Sequence, residues 1–297
     1  MKIKVSGRCF FKKWKIDLAF IVMYNCVNNE FMRWERDQMK KYFSILLAIC
    51  LCFTCMAGCS FGGDKMISDE NREYRVLFVG NSFTEFNNLA TDIFKPMCEQ
   101  AGYNVTVDTV LRGAYVLEAF ANSADPYGAK VDEFLNANKY DVVILQEQSH
   151  RPISDYNSFL KGAKGLAEKA KENGATVYLY ETWGYKEGHG GLSIYGGTTE
   201  KMAKYLADAY KNVADEIGVK VIHAGTAMLD VYQNHREDVE LYIGDCYHPS
   251  FDGSVLVGYT ILYTLCDVDK DDVKFITNSD RRDTILKDAA WEAAHDE

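Results

Sequence analysis

Arg75-Val76-Leu77-Phe78-Val79-Gly80-Asn81-Ser82-Phe83-Thr84-Glu85 sets four consecutive large apolar residues directly against a glycine and a run of small polar ones. A continuous Val/Leu/Phe run suits a strand covered on both faces, as in a parallel sheet. A glycine followed by a small polar residue allows a tight strand-to-helix turn. Working outward, the same apolar signature recurs, so strands are predicted over residues 75–80, 105–111, 141–146, 176–181 and 220–224. Amphipathic stretches separate them, predicting helices over residues 88–101, 129–137, 156–173, 199–217 and 253–265. Asn173-Gly174 and Ile217-Gly218 place a glycine just past two helix ends, where a left-handed residue closes the last turn. This alternation predicts an α/β protein: a three-layer α/β/α sandwich with a five-stranded parallel sheet, one domain over residues 74–297. In such sheets ligands bind beyond the carboxyl ends of the strands.

The chain has 297 residues, with 33 Lys+Arg, 43 Asp+Glu and a formal net charge of −10. An acidic surface of this kind excludes a nucleic-acid partner, because phosphate neutralisation needs basic residues. The totals average two unlike pieces. Residues 1–59 carry ten Lys+Arg against four Asp+Glu, and six of the nine cysteines. Within them, Met39-Lys40-Lys41 followed by an apolar run from Phe43 to Met56 and by Met56-Ala57-Gly58-Cys59 has the layout of a secretory signal. The small residues before Cys59 resemble a bacterial lipobox, with Met56 where Leu is usual. That resemblance implies cleavage before Cys59, lipidation of Cys59, and an extracytoplasmic protein held at a bacterial membrane. Residues 1–38 then read as an extension ahead of the true start, 39–58 as the signal and 59–73 as a tether, with no folded structure expected before about residue 74.

Two short blocks carry candidate chemistry. The first strand delivers Ser82, although Ser82 and Glu85 also form a helix-capping pattern. Far downstream stands Gly244-Asp245-Cys246-Tyr247-His248-Pro249-Ser250. A serine hydroxyl becomes a useful nucleophile when an imidazole takes its proton and a carboxylate holds that imidazole in the right tautomer. Asp245 and His248 can supply both; a polar loop with Ser250 or Asp252 capping the following helix is the plainer reading. There is no Gly-x-Ser-x-Gly nucleophile elbow.

Together the two blocks resemble those of the SGNH (GDSL-type) hydrolase superfamily, in letters, order and strand-end placement over about residues 75–266. The resemblance implies a flavodoxin-like fold, with Ser82 as nucleophile, His248 as general base and Asp245 as its orienting acid. Asn81 stands where the family usually has Asp. The second family block implies Gly113, in Leu111-Arg112-Gly113-Ala114, as a backbone oxyanion donor beside Ser82. The third is Gly-x-Asn-Asp in the family, but here it is replaced by Leu145-Gln146-Glu147-Gln148-Ser149-His150. Aligning strand ends puts Gln148 at the oxyanion Asn, with Gln146 as the alternative. A related branch of SGNH-like proteins shares these GNSFT and LQEQS blocks.

By the same resemblance the activity is that of a serine esterase that cleaves O-acyl, particularly O-acetyl, esters on carbohydrate and needs no metal or organic cofactor. A lipase, lysophospholipase or thioesterase competes with it, as does a glycan-binding lipoprotein that kept the fold without turnover. Glu147, His150, Glu181 and Trp183 are candidate substrate-binding residues by their positions at strand ends, and the glycine-rich stretch from Gly184 to Gly197 is a candidate rim or lid. The remaining histidines show no metal-ligand spacing. The oligomeric state is not written in the sequence.

Overall fold

A computed structural model describes residues 65–274 and 276–295. Cys59 and the signal and extension segments lie outside the described residues. The chain runs β1 (Glu73–Gly80), a one-turn α1 (Ser82–Glu85), a π-turn over Leu89–Phe94 leading into α2 (Lys95–Gln100), then β2 (Asn104–Leu111). It continues through α3 (Leu117–Ala121), α4 (Pro126–Ala137), β3 (Val142–Leu145), α5 (Arg151–Ser154), α6 (Tyr156–Asn173) and β4 (Thr176–Tyr180). It closes with α7 (Thr199–Ile217), β5 (Lys220–Ile222), α8 (Ala224–Asn234), α9 (Phe251–Leu265) and α10 (Asp280–His295). The sheet has five strands in the order β2-β1-β3-β4-β5. Every pairing is parallel, with Gly80 opposite Leu111, Val79 opposite Leu145 and Leu145 opposite Leu179.

The unbroken apolar runs divide by strand alternation. Val76, Phe78, Val142, Ile144, Tyr178 and Tyr180 pack into one layer against α2, α8, α9 and α10. Leu77, Val79, Val143, Leu145, Val177 and Leu179 point the other way, onto α3, α4, α6 and α7. The three inner strands β1, β3 and β4 thus bury both faces, as a parallel sheet between two helical layers requires, while the edge strands β2 and β5 are only partly covered.

Two sequence expectations change. The strand predicted over 220–224 ends at Ile222, and Ala224 already opens α8. Residues 65–73, expected to be a free tether, are docked. Ile67 is fully buried, its N–H donates to Leu265 O at 3.0 Å, and its carbonyl accepts the Asp267 N–H at 2.9 Å. Tyr74 Oη holds the next turn by accepting the N–H groups of Ser68 and Asp69. Two adjacent apolar side chains, Met66 and Ile67, in an otherwise polar stretch suffice to seat the strap beside the end of α9.

Candidate active site

Gly80 ends β1 where only a hydrogen fits. A Cβ there would sit 2.8 Å from Gln146 Oε1 and 3.2 Å from Thr84 Oγ1. Asn81 then caps α1, its side-chain oxygen accepting the Phe83 N–H at 3.4 Å. The cap is therefore Asn81 rather than Ser82, which leaves Ser82 Oγ for another partner. That partner is His248: Ser82 Oγ lies 2.9 Å from His248 Nε2.

His248 arrives on a loop closed by a bridge between Tyr242 and Pro249, with the Ile243 N–H donating to His248 O at 3.0 Å. Cys246 takes a left-handed conformation, φ 66°, to turn that loop. Asp245 Oδ1 accepts the backbone N–H groups of Tyr247 and His248 at 3.1 and 3.0 Å, and Asp245 Oδ2 accepts from His248 Nδ1 at 2.7 Å. Burial pushes the Asp245 carboxyl up, but the bonds from the His248 ring and the two backbone N–H groups outweigh it and hold the acid below its ordinary range. An ionised Asp245 requires the proton on Nδ1 and leaves the Nε2 lone pair facing Ser82. Ser250, two residues on, accepts the Gly253 N–H at 3.0 Å and so caps α9. The capping role in this loop thus falls to Ser250, and the Asp245 and His248 side chains are left facing each other and Ser82.

Two features of the site are absent from the sequence reading. Phe86 stacks on the His248 imidazole, with centroids 4.3 Å apart and planes within 14°. Asn81 and Gln146 form a reciprocal pair. Gln146 Oε1 accepts the Asn81 N–H at 3.0 Å, and Gln146 Nε2 donates to Asn81 Oδ1 at 2.9 Å and also to Glu147 O. Asn81 Nδ2 in turn donates to Tyr115 O at 3.0 Å, a bond an Asp could not make. The unusual Asn81 and the unusual Gln146 are thus one structural unit, and their joint appearance in the sequence was the signal for it.

That unit settles the role of Gln146, which is buried with both amide ends engaged. Gln148 is half-buried, its backbone N–H donating to Glu147 Oε1 at 2.6 Å and its Nε2 to Ser149 Oγ at 2.8 Å. Gly113 is exposed beyond β2, where the Arg112 N–H donates to Gly80 O at 3.1 Å and so carries the β1–β2 pairing to the site. A Cβ on Gly113 would meet Glu85 Oε2 at 3.6 Å.

Three of the four candidate substrate-binding residues face inward instead. Glu147 is fully buried and accepts the Leu117 N–H, capping α3 from a distance. Burial raises its carboxyl to about 7 against the opposing pull of its two backbone donors. Glu181, 1% exposed, spans His223 Nδ1 at 3.0 Å and Thr226 Oγ1 at 3.0 Å, fixing the first turn of α8. Gly225 is the residue that lets α8 approach, since a Cβ there would lie 2.7 Å from Glu181 Oε1. Trp183 is fully buried, stacked on Phe83 at 4.2 Å, and its Nε1 donates to Tyr247 O at 2.9 Å. It supports the histidine loop from beneath and cannot stack on a ligand. His150 alone of the four is half-exposed, bonded to Tyr185 Oη at 2.8 Å and stacked on Tyr195 at 4.3 Å.

The fold is that of an α/β protein with a parallel five-stranded sheet, and it carries a Ser82–His248–Asp245 series of hydrogen bonds. No protein-family model matches the sequence, and no curated protein matches it. Among solved structures, the chain is similar to a protein assigned as an SGNH hydrolase from Slackia heliotrinireducens. The two share 27% identity and a TM-score of 0.55, over 64% of this chain and 97% of that one. It also shares its fold with a DUF4886 family protein from Bacteroides uniformis, at 19% identity and a TM-score of 0.65, over 75% of this chain and 95% of that one. The chain has the fold of the SGNH hydrolase superfamily and is placed there.

Proposed function

We propose that the protein is a serine esterase that removes short O-acyl groups, acetyl foremost, from carbohydrate. The observation that carries this is the unbroken hydrogen-bonded series Asp245–His248–Ser82 at the carboxyl edge of the sheet. Ser82 Oγ attacks the ester carbonyl as its proton passes to His248 Nε2. Asp245 stabilises the imidazolium through Nδ1–H. The tetrahedral oxyanion is received by the N–H groups of Ser82 and Gly113, with the Gln148 amide, bonded to Ser149 Oγ in the free protein, as the third donor. The C–O bond to the alcohol then breaks, and His248 returns the proton to the departing oxygen. Water, deprotonated by His248, clears the acyl-enzyme and restores Ser82. For the alcohol side, the partly exposed rings of His150, Tyr195 and Tyr247 near this edge give faces on which a sugar can lie. The test is turnover of a short-acyl nitrophenyl ester and an acetylated oligosaccharide by the purified protein, beside Ser82→Ala. Hydrolysis lost in the variant supports the reading. Equal rates in the two proteins remove Ser82 from the mechanism, and preference for long acyl chains would point to a lipase or thioesterase instead.

Anchoring through Cys59 belongs to the same proposal and rests on the Met39–Cys59 pattern. Cys59→Ala should move the protein from the membrane fraction to the soluble one.

A further inference from the structure

The turn that follows Ser82 is built in an uncommon way. Asn87 and Asn88 both occupy the left-handed region, at φ 55° and 49°. Consecutive non-glycine residues there carry a steric cost that Asn bears better than most. The reversal carries Asn87 across to the histidine loop. Its Nδ2 donates to Ser250 O at 3.0 Å and to Ser254 Oγ at 2.8 Å. Ser250 lies two residues beyond His248 and is pinned on its other side, its Oγ donating to Glu240 O at 2.6 Å. The residue before Asn87 is Phe86, whose ring lies flat on the His248 imidazole. Among the described residues, the two bonds of Asn87 and the Ser82–His248 bond are the hydrogen bonds that join segment 81–88 to segment 244–254. The loop's other ties, Trp183 Nε1 to Tyr247 O and the Lys186 N–H to Cys246 O, lead to the β4 side. Trp183 also stacks on Phe83, which meets His248 edge-on at 5.8 Å, so ring packing supports the loop from below while the Asn87 bonds tie it directly to the nucleophile turn.

We infer that Asn87 is a positioning residue: with Phe86 it clamps the loop bearing His248 onto the turn bearing Ser82, setting the nucleophile–base distance in the absence of substrate. The inference rests on the reading of Ser82 and His248 as nucleophile and base, and it adds a third element to that pair. Near-attack geometry is sensitive to small displacements, so a clamp of this kind acts on turnover more than on binding.

Asn87→Asp keeps the size and the tolerance for positive φ but presents no N–H to Ser250 O. Asn87→Gly relieves the backbone and removes the side chain. Ser254→Ala deletes one of the two acceptors. Each is compared with the wild-type protein in steady-state kinetics on a short-acyl nitrophenyl ester, in thermal unfolding, and in the low-field proton NMR signal of His248 Nδ1–H, assigned with His248→Ala. In the two Asn87 variants kcat should fall about tenfold to hundredfold with KM little changed, and the low-field signal should broaden or vanish. Ser254→Ala should shift both in the same direction by less. Unchanged kcat and an unchanged signal in Asn87→Asp and Asn87→Gly would overturn the inference, even if their melting temperatures fell. If the wild-type protein hydrolyses no ester, the esterase reading fails by itself. The NMR comparison then still decides the clamp: a signal retained in the variants sinks it, and a signal lost upholds it.

Discussion

Two sets of polar residues stand at the carboxyl edge of this sheet, and they do opposite things. Ser82, Asp245 and His248 meet one another side chain to side chain, with His248 and Asp245 partly open to solvent. Gln146, Glu147 and Glu181 occupy equivalent strand-end positions on β3 and β4, yet each is at most 1% exposed and bonded chiefly to backbone or to fixed neighbours. A polar residue just past a parallel strand is therefore either chemistry or masonry. The path of the next few residues decides which. After β1 the chain turns at once into α1 and leaves Ser82 on the rim. After β4 the Glu181 N–H still pairs with Ile222 O at 3.0 Å, so the side chain stays under the covering helix.

The sharpest test of the contrast is activity against stability. Ser82→Ala or His248→Ala should lower kcat by about 10⁴-fold or more with little loss of melting temperature, and Asp245→Asn by about 10⁴-fold, since these groups act as a unit on one proton. Ester turnover and thermal unfolding on the same preparations check this. Glu181→Ala should do the reverse. It removes a buried carboxylate that ties Thr226 Oγ1 and His223 Nδ1 to the end of β4 and leaves its space empty, so it should cost about 1–3 kcal/mol of stability, read by chemical denaturation. The fraction that stays folded should turn over at close to the wild-type rate. A Glu181 variant that folds normally but loses kcat would move this residue into the site.

This division also measures how far the sequence speaks. The five strands were legible within two residues at every end: burial on both faces leaves a continuous apolar run in β1, β3 and β4, and β-branched residues mark the edge strands β2 and β5. Helices α6 and α7 were legible to the residue, each closed by Gly174 or Gly218 in the left-handed conformation. Helix α10 was missed, although Leu286, Ala289, Ala290 and Ala293 mark one buried stripe at helical spacing. Ser82, Asp245 and His248 were legible since two short blocks hold all three. The inward aim of Glu147, Glu181 and Trp183 was not: side-chain direction at a strand end depends on partners 30 or more residues away, such as Leu117 for Glu147 and Tyr247 for Trp183. Asn87 was invisible for the same reason.

A pH series sharpens the buried side of the comparison. Burial raises the Glu147 carboxyl from its ordinary value of 4.5 to about 7. The folded protein therefore holds this proton more tightly than the unfolded chain. The stability it contributes is fully present below about pH 4.5 and is lost as pH rises through 7. The loss should be on the order of 2–3 kcal/mol. Glu147→Gln keeps an acceptor for Leu117 and Gln148 and removes the titration. The difference between the two unfolding free energies should grow from pH 4.5 to 7.5 in favour of the variant. A constant difference across that range would mean that Glu147 is ionised without cost, and that its burial is not what separates it from Asp245.

The smallest expected effect lies where the two sets come closest. Glu85 is exposed, its carboxylate has no hydrogen bond or ion pair among the described residues, and it brings an oxygen to within 3.6 Å of where a Gly113 Cβ would stand. If the Gly113 N–H receives the oxyanion, a fixed negative charge beside it opposes the charge that develops in the transition state. At a surface the repulsion is about 1 kcal/mol and is screened by salt. Glu85→Gln should accordingly raise kcat/KM on a neutral ester about two- to fivefold at low ionic strength, with the gain shrinking as salt is added. A gain that ignores salt would indicate a contact with substrate rather than a field. A loss of activity would mean that Glu85 binds the alcohol part of the ester, which would place a carboxylate of α1 in the site.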